Sequence, residues 1–322
     1  MKPRASASAP GKVILFGEHF VVSGYPAVVT AINMRARVEL QREEEAIIFT
    51  SRRLMGRWSI TGEQVYPEPH KKSSFTPLHK MLVRMMEDEG VRGGLRAEIV
   101  SEIPGAAGLG SSAAISTALA QAFSILFELE LSREEIVEYA MVAEKEFHGK
   151  PSGIDPHAAA YGGTLLYKGP GNFQTLHLDR SPDILVLFTG LKRKTSEMVE
   201  HVIKHSSTRP REFSELANLY RGIFNRAVEA LKSGDLKLLG ELMSLNHYLL
   251  KVLGLSNDVV EKYVENLLER GAYGVKLTGA GGGGSIIAAV EGQSFRKLSE
   301  WPDQFSKWWL VKTSCPGVRV ED

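Results

Sequence analysis

The sequence predicts an α+β protein in two parts, on three observations. In each half, strand-like segments come first and helical ones follow; no regular strand–helix alternation of a doubly wound sheet runs through the chain; and 322 residues suit one large domain or two medium ones. The character of the chain changes near Arg180, which divides it into 1–180 and 181–322.

The elements follow in order. Residues 28–40, 46–51 and 95–103 are rich in β-branched side chains and bounded by Gly, Pro or charge, so they read as strands. One helix interrupts them, capped by Ser73 or Ser74, with Leu78, Met81, Leu82 and Met85 at helical spacing. A second helix covers 111–127. A third starts at Ser132, where Ser-Arg-Glu-Glu forms a capping box with Glu135, and runs to residue 147. Gly149, Pro151 and Gly153 break that pattern, and Gly162-Gly163 leads into a strand over 164–167. Beyond the boundary, a strand over 184–189 precedes helices over 212–232, 236–252 and 258–270, the last closed by Gly271 just past its C-cap. Strands over 275–278 and 285–290 flank a glycine loop; a short helix after Ser294 and a strand over 308–312 complete the series.

Composition narrows the function classes. A formal net charge of +1 gives no bulk attraction to nucleic acid or to a membrane surface. The lone cysteine, Cys315, forms no internal disulfide. No apolar run approaches the roughly 20 residues that span a bilayer. The expectation is a soluble cytoplasmic protein without a nucleic-acid or membrane partner.

Four clusters carry candidate chemistry. In the first, Pro104-Gly-Ala-Ala-Gly-Leu-Gly-Ser-Ser-Ala-Ala114, a glycine loop runs into a helix start. Unpaired N–H groups and the positive end of the helix dipole suit a phosphate there, and glycine lets the backbone come close to it. A tight turn before a packed helix explains the same residues. A dinucleotide loop is the third reading, since Gly108-Leu-Gly110-Ser-Ser-Ala113 fits G-x-G-x-x-A and Glu128 or Glu130 lies about 20 residues on. However, a capped helix follows where a parallel strand is needed. The second cluster is residues 9–27, where Lys12 sits at a Pro-Gly turn before the apolar Val13-Ile-Leu-Phe16, with Glu18 and His19 after it. Buried polar groups there need partners, although Lys12 is equally explained as a solvated turn lysine.

The third cluster is residues 143–163. Glu144 and His148 are i and i+4 on one helix face, without the third ligand of a zinc site. Asp155, beyond a Pro-Ser-Gly turn, reads as a helix N-cap and equally as a fixed carboxylate. In the fourth, Lys276-Leu-Thr-Gly279-Ala280-Gly281-Gly282-Gly-Gly-Ser285, four consecutive glycines exceed what a hairpin needs. They suggest close approach of this backbone to a ligand or to another backbone. Lys192-Arg193-Lys194-Thr195 is either solvated or turned to an anion.

Together and in this order, the clusters resemble the GHMP kinases. Ala9-Pro-Gly-Lys-Val-Ile-Leu-Phe-Gly-Glu-His19 is similar to the family's first motif, residues 104–113 to its phosphate loop, and residues 276–285 to its C-terminal glycine motif. Gly11–Ala27 and His148-Gly-Lys-Pro-Ser-Gly-Ile-Asp155 look like the forms of the mevalonate kinase branch, with Ser285 where many of its members have cysteine. The resemblance implies a two-domain GHMP kinase fold, an N-terminal part like domain 2 of ribosomal protein S5 and a ferredoxin-like α/β sandwich behind it. It implies transfer of the γ-phosphoryl of ATP to the 5-hydroxyl of mevalonate, with Mg²⁺. Pro104, Gly105, Ala106, Ala107, Gly108, Leu109, Gly110, Ser111, Ser112, Ala113 and Ala114 would form the ATP phosphate site, with Gly279, Ala280, Gly281 and Gly282 near it. Ser112 and Glu144 would hold the metal; Asp155 would take the hydroxyl proton and Lys12 would stabilise developing charge. Glu18, His19, Arg193 and Thr195 would bind mevalonate, Arg193 gripping its carboxylate. Members of the mevalonate kinase branch are commonly dimers, so the resemblance admits a homodimer. Another small-molecule kinase of the family, such as a phosphomevalonate kinase, and a non-catalytic binding protein of the same fold are the alternatives.

Overall fold

The computed structural model describes residues 3–52, 54–68, 71–149, 151–191, 195–291 and 307–322. In chain order the first half runs β1 (Arg4–Phe16), β2 (Ala27–Glu43), β3 (Ala46–Ser51), β4 (Leu54–Ser59), β5 (Gln64–Tyr66), α1 (Thr76–Asp88), β6 (Gly94–Ser101), α2 (Ser111–Leu126), α3 (Arg133–His148), α4 (Ile154–Tyr161), β7 (Thr164–Tyr167) and β8 (Phe173–Thr175). The second runs β9 (Asp183–Phe188), α5 (Thr195–Thr208), α6 (Pro210–Ser233), α7 (Leu236–Val252), α8 (Asp258–Glu269), β10 (Gly274–Thr278), β11 (Ser285–Ala289), β12 (Trp308–Lys312) and β13 (Arg319–Glu321). The short helix expected after Ser294 lies outside the described residues.

The first sheet is organised by β2, which is longer than any one neighbour. β1 runs along one edge of it; on the other, β6 pairs with residues 36–43 and β7 with residues 27–30. Met34, Ala36, Val38 and Leu40 of β2 alternate inward, as a half-buried strand requires. Helices α2 and α4 pack on β1 and β2. The second sheet, β10-β11-β9-β12, is antiparallel and is covered by α7 and α8. Helix α6 turns Phe213, Leu216, Ala217, Tyr220, Phe224, Ala227 and Leu231 into the core at helical spacing. One cluster of buried side chains is continuous from Val13 and Phe20 through Tyr220 to Leu277, so the halves share a core.

Several expectations change. β1 extends through Pro10-Gly11-Lys12, so Lys12 lies inside a strand beside an irregularity in register, not in a turn. Strands β4, β5, β8 and β13 and helix α5 were not legible in the sequence. β13 pairs with β1, returning the end of 181–322 to the first sheet. The capping box at Ser132 and the left-handed Gly271 (φ 93°) are as expected. Ser73 is not the cap of α1; its hydroxyl accepts from the Phe75 N–H ahead of the first turn.

Candidate active site

Lys12, the phosphate loop and α4 meet at one point. The Lys12 N–H donates to the Leu109 carbonyl (3.0 Å), tying β1 to the loop. Gly110 is left-handed (φ 74°), and a Cβ there would lie 2.9 Å from Lys12 Cγ, so glycine lets the loop close over the lysine stem. Lys12 Nζ then reaches Asp155 Oδ1 at 3.0 Å, with the lysine side chain 6% and the aspartate 31% exposed. Asp155 is not the N-cap of α4. Gly153 (φ 81°) holds that place, and Asp155 lies in the first helical turn. The Gly153 carbonyl accepts from His157 Nδ1 (2.8 Å), and the His157 ring stacks on Phe173 at 3.8 Å. Val318 N–H donates to the Ala160 carbonyl at the other end of the helix, so both ends of α4 are held.

Helix α2 starts from Gly110 without a side-chain cap, which leaves its first N–H groups for an anion. The loop is two-sided. Ala107, Leu109, Gly110, Ala113 and Ala114 are buried anchors, whereas Gly105, Ala106 and Gly108 are exposed and Pro104, Ser111 and Ser112 half-buried. Exposed Ala106 adopts φ 60°, a conformation that costs a non-glycine residue about 1 kcal/mol or more.

Glu144 of α3 completes this side. It is 2% exposed, and its Oε1 has no partner among the protein's own groups. Burial, then the nearby Asp155 charge, pushes its carboxyl up to about 7, against the pull of a Ser112 hydrogen bond and of Lys12. His148 Nε2 lies 3.4 Å from Ser112 Oγ and 3.6 Å from Glu144 Oε2. Motif reading places His148 only on a helix face shared with Glu144; its contact with Ser112 emerges from the fold. An orphaned carboxylate oxygen beside a hydroxyl fits a hard divalent cation such as Mg²⁺. Among the described residues no group of three or more His, Cys, Asp or Glu is placed to hold a metal by itself. A cation here would need oxygen ligands beyond these carboxylates.

The glycine motif closes the other side. Ser285 Oγ donates to the Ala107 carbonyl (2.7 Å), and Thr278 Oγ1 donates to the Ile14 carbonyl (2.9 Å). The second sheet is thereby stitched to the phosphate loop and to β1. Gly281 (φ 76°) comes so near the Leu255 carbonyl that a Cβ would sit 2.8 Å from it. The run of glycines therefore serves close backbone packing, with Gly279 and Gly284 facing the phosphate loop.

Glu18 and His19 follow β1 in a tight turn. Glu18 does not line the open cleft, as a direct substrate contact requires. Its side chain is fully buried and its Oε1 is ion-paired with Lys276 of β10, while its Oε2 has no partner among the protein's own groups. His19 Nε2 donates to the Ala280 carbonyl (2.8 Å), which leaves Nδ1 as a buried acceptor without a protein donor. Burial lowers the His19 pKa and keeps the ring neutral. Arg193 lies outside the described residues, and Thr195 opens α5 with its side chain likewise outside them. Lys276 is the partner that motif reading passed over; a single charge inside the apolar Val275–Thr278 strand was its signal.

The family model for the N-terminal domain of GHMP kinases matches residues 77–163, and the model for their C-terminal domain matches residues 227–307. A mevalonate kinase of Thermococcus sibiricus is 35% identical over 331 aligned positions, covering 99% of each chain. The chain belongs to the GHMP kinase family. Among solved GHMP kinases, L. major mevalonate kinase in complex with R-mevalonate superposes with a TM-score of 0.82 at 30% identity, covering 98% of each chain. The Methanococcus jannaschii mevalonate kinase superposes with a TM-score of 0.84 at 28% identity over 95% of this chain and 97% of that one. The two-domain GHMP fold and the three family motifs thus stand together in this protein.

Proposed function

We propose that the protein is a mevalonate kinase, moving the γ-phosphoryl of ATP to the 5-hydroxyl of (R)-mevalonate in isoprenoid biosynthesis. The observation that carries this is the Lys12–Asp155 pair at 3.0 Å, set beside Ser112 at the start of α2 and Glu144 of α3. The full-length likeness to mevalonate kinases supports the choice of acceptor.

The transfer needs positioning and charge neutralisation more than covalent chemistry. The uncapped N–H groups of α2 and the exposed loop backbone at Gly105, Ala106 and Gly108 bind the phosphates. Ser112 and Glu144 would hold Mg²⁺, which neutralises phosphate charge when bound. The acceptor oxygen forms a bond to the γ-phosphorus as the bond to the bridging oxygen breaks, and ADP leaves. Asp155 orients the hydroxyl and receives its proton late, because a primary alcohol is too weak an acid to give it up early to a carboxylate. Lys12 pairs with Asp155 and offers its positive charge where the oxygens gain negative charge. Arg193 binds the mevalonate carboxylate, and His19 Nδ1 accepts from a substrate hydroxyl. Such a reaction belongs in the cytoplasm, where ATP and Mg²⁺ are both abundant, and calls for no macromolecular partner.

Coupled ADP release over mevalonate, phosphomevalonate, galactose and homoserine tests the assignment. Mevalonate is expected to lead by at least about 100-fold in kcat/KM. Preference for phosphomevalonate or a sugar would overturn the acceptor and keep the fold; tight ATP binding with no turnover on any alcohol would favour a binding protein.

A further inference from the structure

The turn that carries Glu18 and His19 is strained and is held almost wholly from the other half of the chain. His19 has φ 60° and ψ −40°, a conformation that persists only where surroundings impose it. Four contacts impose it. Glu18 pairs with Lys276 of β10; His19 donates to Ala280; Phe20 stacks on Tyr220 of α6 with ring centroids 4.3 Å apart and planes at 6°; and the Tyr220 hydroxyl donates to the Pro26 carbonyl (2.6 Å). Only the Glu18–Lys276 contact joins two charges, and both side chains are fully buried.

Lys276 is itself fixed. Its Nζ also donates to the Leu277 carbonyl (2.9 Å) and lies 6.0 Å from the centre of the Phe16 ring. The next backbone N–H, that of Leu277, donates to His247 Nδ1 (3.3 Å), and His247 Nε2 donates to Glu261 (3.0 Å). β10 is thus braced from α7 and α8 before it presents the lysine. A buried pair of this kind is weak evidence for stability, because burial works against both charges; here burial raises Glu18 and lowers Lys276 while each partner pulls the other back. Its definite effect is geometric: it occupies one carboxylate oxygen of Glu18 and leaves the other, with His19 Nδ1, as two unpartnered buried atoms on adjacent residues.

We propose that Lys276 is a positioning residue for acceptor recognition: through its ion pair with Glu18 it locks the Glu18–His19 turn onto β10 and so sets where His19 presents its unpartnered Nδ1 to the acceptor alcohol. Lys276 touches neither substrate; it acts through Glu18. The role rests on the kinase reading above but not on which alcohol is phosphorylated, so the acceptor panel on the unaltered protein is run first and each variant is then measured with the acceptor it prefers.

The test is a double-mutant cycle on the full chain with Glu18→Gln, Lys276→Met and both together, reading KM for acceptor and for ATP separately, with thermal melting as the check on folding. Glu18→Gln should raise acceptor KM about tenfold or more and leave ATP KM within about twofold. Adding Lys276→Met to Glu18→Gln should change acceptor KM by no more than about twofold, because a residue that acts through Glu18 has nothing left to act on. Lys276→Met alone leaves a buried charge without a partner; if it folds, it should match or exceed the Glu18→Gln effect. If it does not fold, the comparison of Glu18→Gln with the double variant decides. The proposal is overturned by normal acceptor KM in Glu18→Gln or in folded Lys276→Met, by multiplying effects in the double variant, or by equal changes in ATP KM. Loss of the fold in the double variant also overturns it, in favour of a purely structural pair.

Discussion

On the phosphate side of the cleft, Ser112 is half-buried, Asp155 is 31% exposed and Glu144 keeps an oxygen without a partner; on the Glu18 side, Glu18, His19 and Lys276 are sealed, with Glu18 paired to Lys276 and His19 bonded to the Ala280 carbonyl. The first region is made from the first half of the chain, the second from both halves. A site for a polyanion and its cation must keep charge reachable, since the ligands supply the missing counter-charge. A site for a neutral hydroxyl has little charge to attract, so its selectivity comes from where a few buried atoms point, and that takes rigidity.

Substitutions should separate the regions by which kinetic constant moves. Asp155→Asn should cut kcat about 1,000-fold and leave ATP KM within about twofold, measured by steady-state ADP release; a loss below about tenfold would remove Asp155 from proton transfer. The pH dependence of the metal-free protein comes next. Glu144 is raised from 4.5 in the unfolded chain to about 7 in the fold, so the native state binds the extra proton between those values. Stability should fall as pH climbs from about 4.5 to about 7, by at most about 3 kcal/mol, and Glu144→Gln should flatten the change in thermal melting over that window. Mg²⁺ should restore stability at the alkaline end, where Glu144 is ionised. Ser112→Ala should raise KM for Mg·ATP about tenfold without moving acceptor KM; an unchanged ATP dependence would exclude Ser112 from the metal site. The smallest effect is on the buried side. Tyr220→Phe keeps the stack on Phe20 and loses only the hydrogen bond to Pro26, so it should cost about 1 kcal/mol in urea denaturation and raise acceptor KM a few-fold at most.

Local chemistry was the legible part of the sequence. The capping box at Ser132, the glycine past α8 and the apolar stripes of α6 and α8 are short-range signals, and each became the element expected. Strands defined by distant partners were harder to see. Pro10-Gly11 reads as a turn, yet β2 and the phosphate loop hold it in a strand; a Cβ at Gly11 would meet the Leu109 carbonyl at 2.8 Å. Helix α5 has a thin apolar stripe, with Met198 and Val202 its buried members, and was missed for that reason. In the site, motifs brought Lys12, Ser112, Glu144 and Asp155 to notice, and the fold gathers them. Lys276 escaped because its role depends on Glu18, 258 positions away in the chain, and no local pattern records such a pairing.

The pairing of β13 with β1 has a consequence for synthesis. Ser8 and Glu321 are hydrogen-bonded although 313 positions apart. A nascent chain can lay β1 on β2 early, but the outer edge of β1 stays open until residues 319–321 leave the ribosome, on the order of 15 to 60 s later at ordinary translation rates. An open strand edge for that long invites pairing with a neighbouring chain. Arg35 and Arg37 of β2 reach across to Ser8 and Ser6 on that edge. Two guanidinium charges thus guard the strand while it waits for its last neighbour, and in the finished molecule the same side chains hold residues 316, 317 and 322 in place.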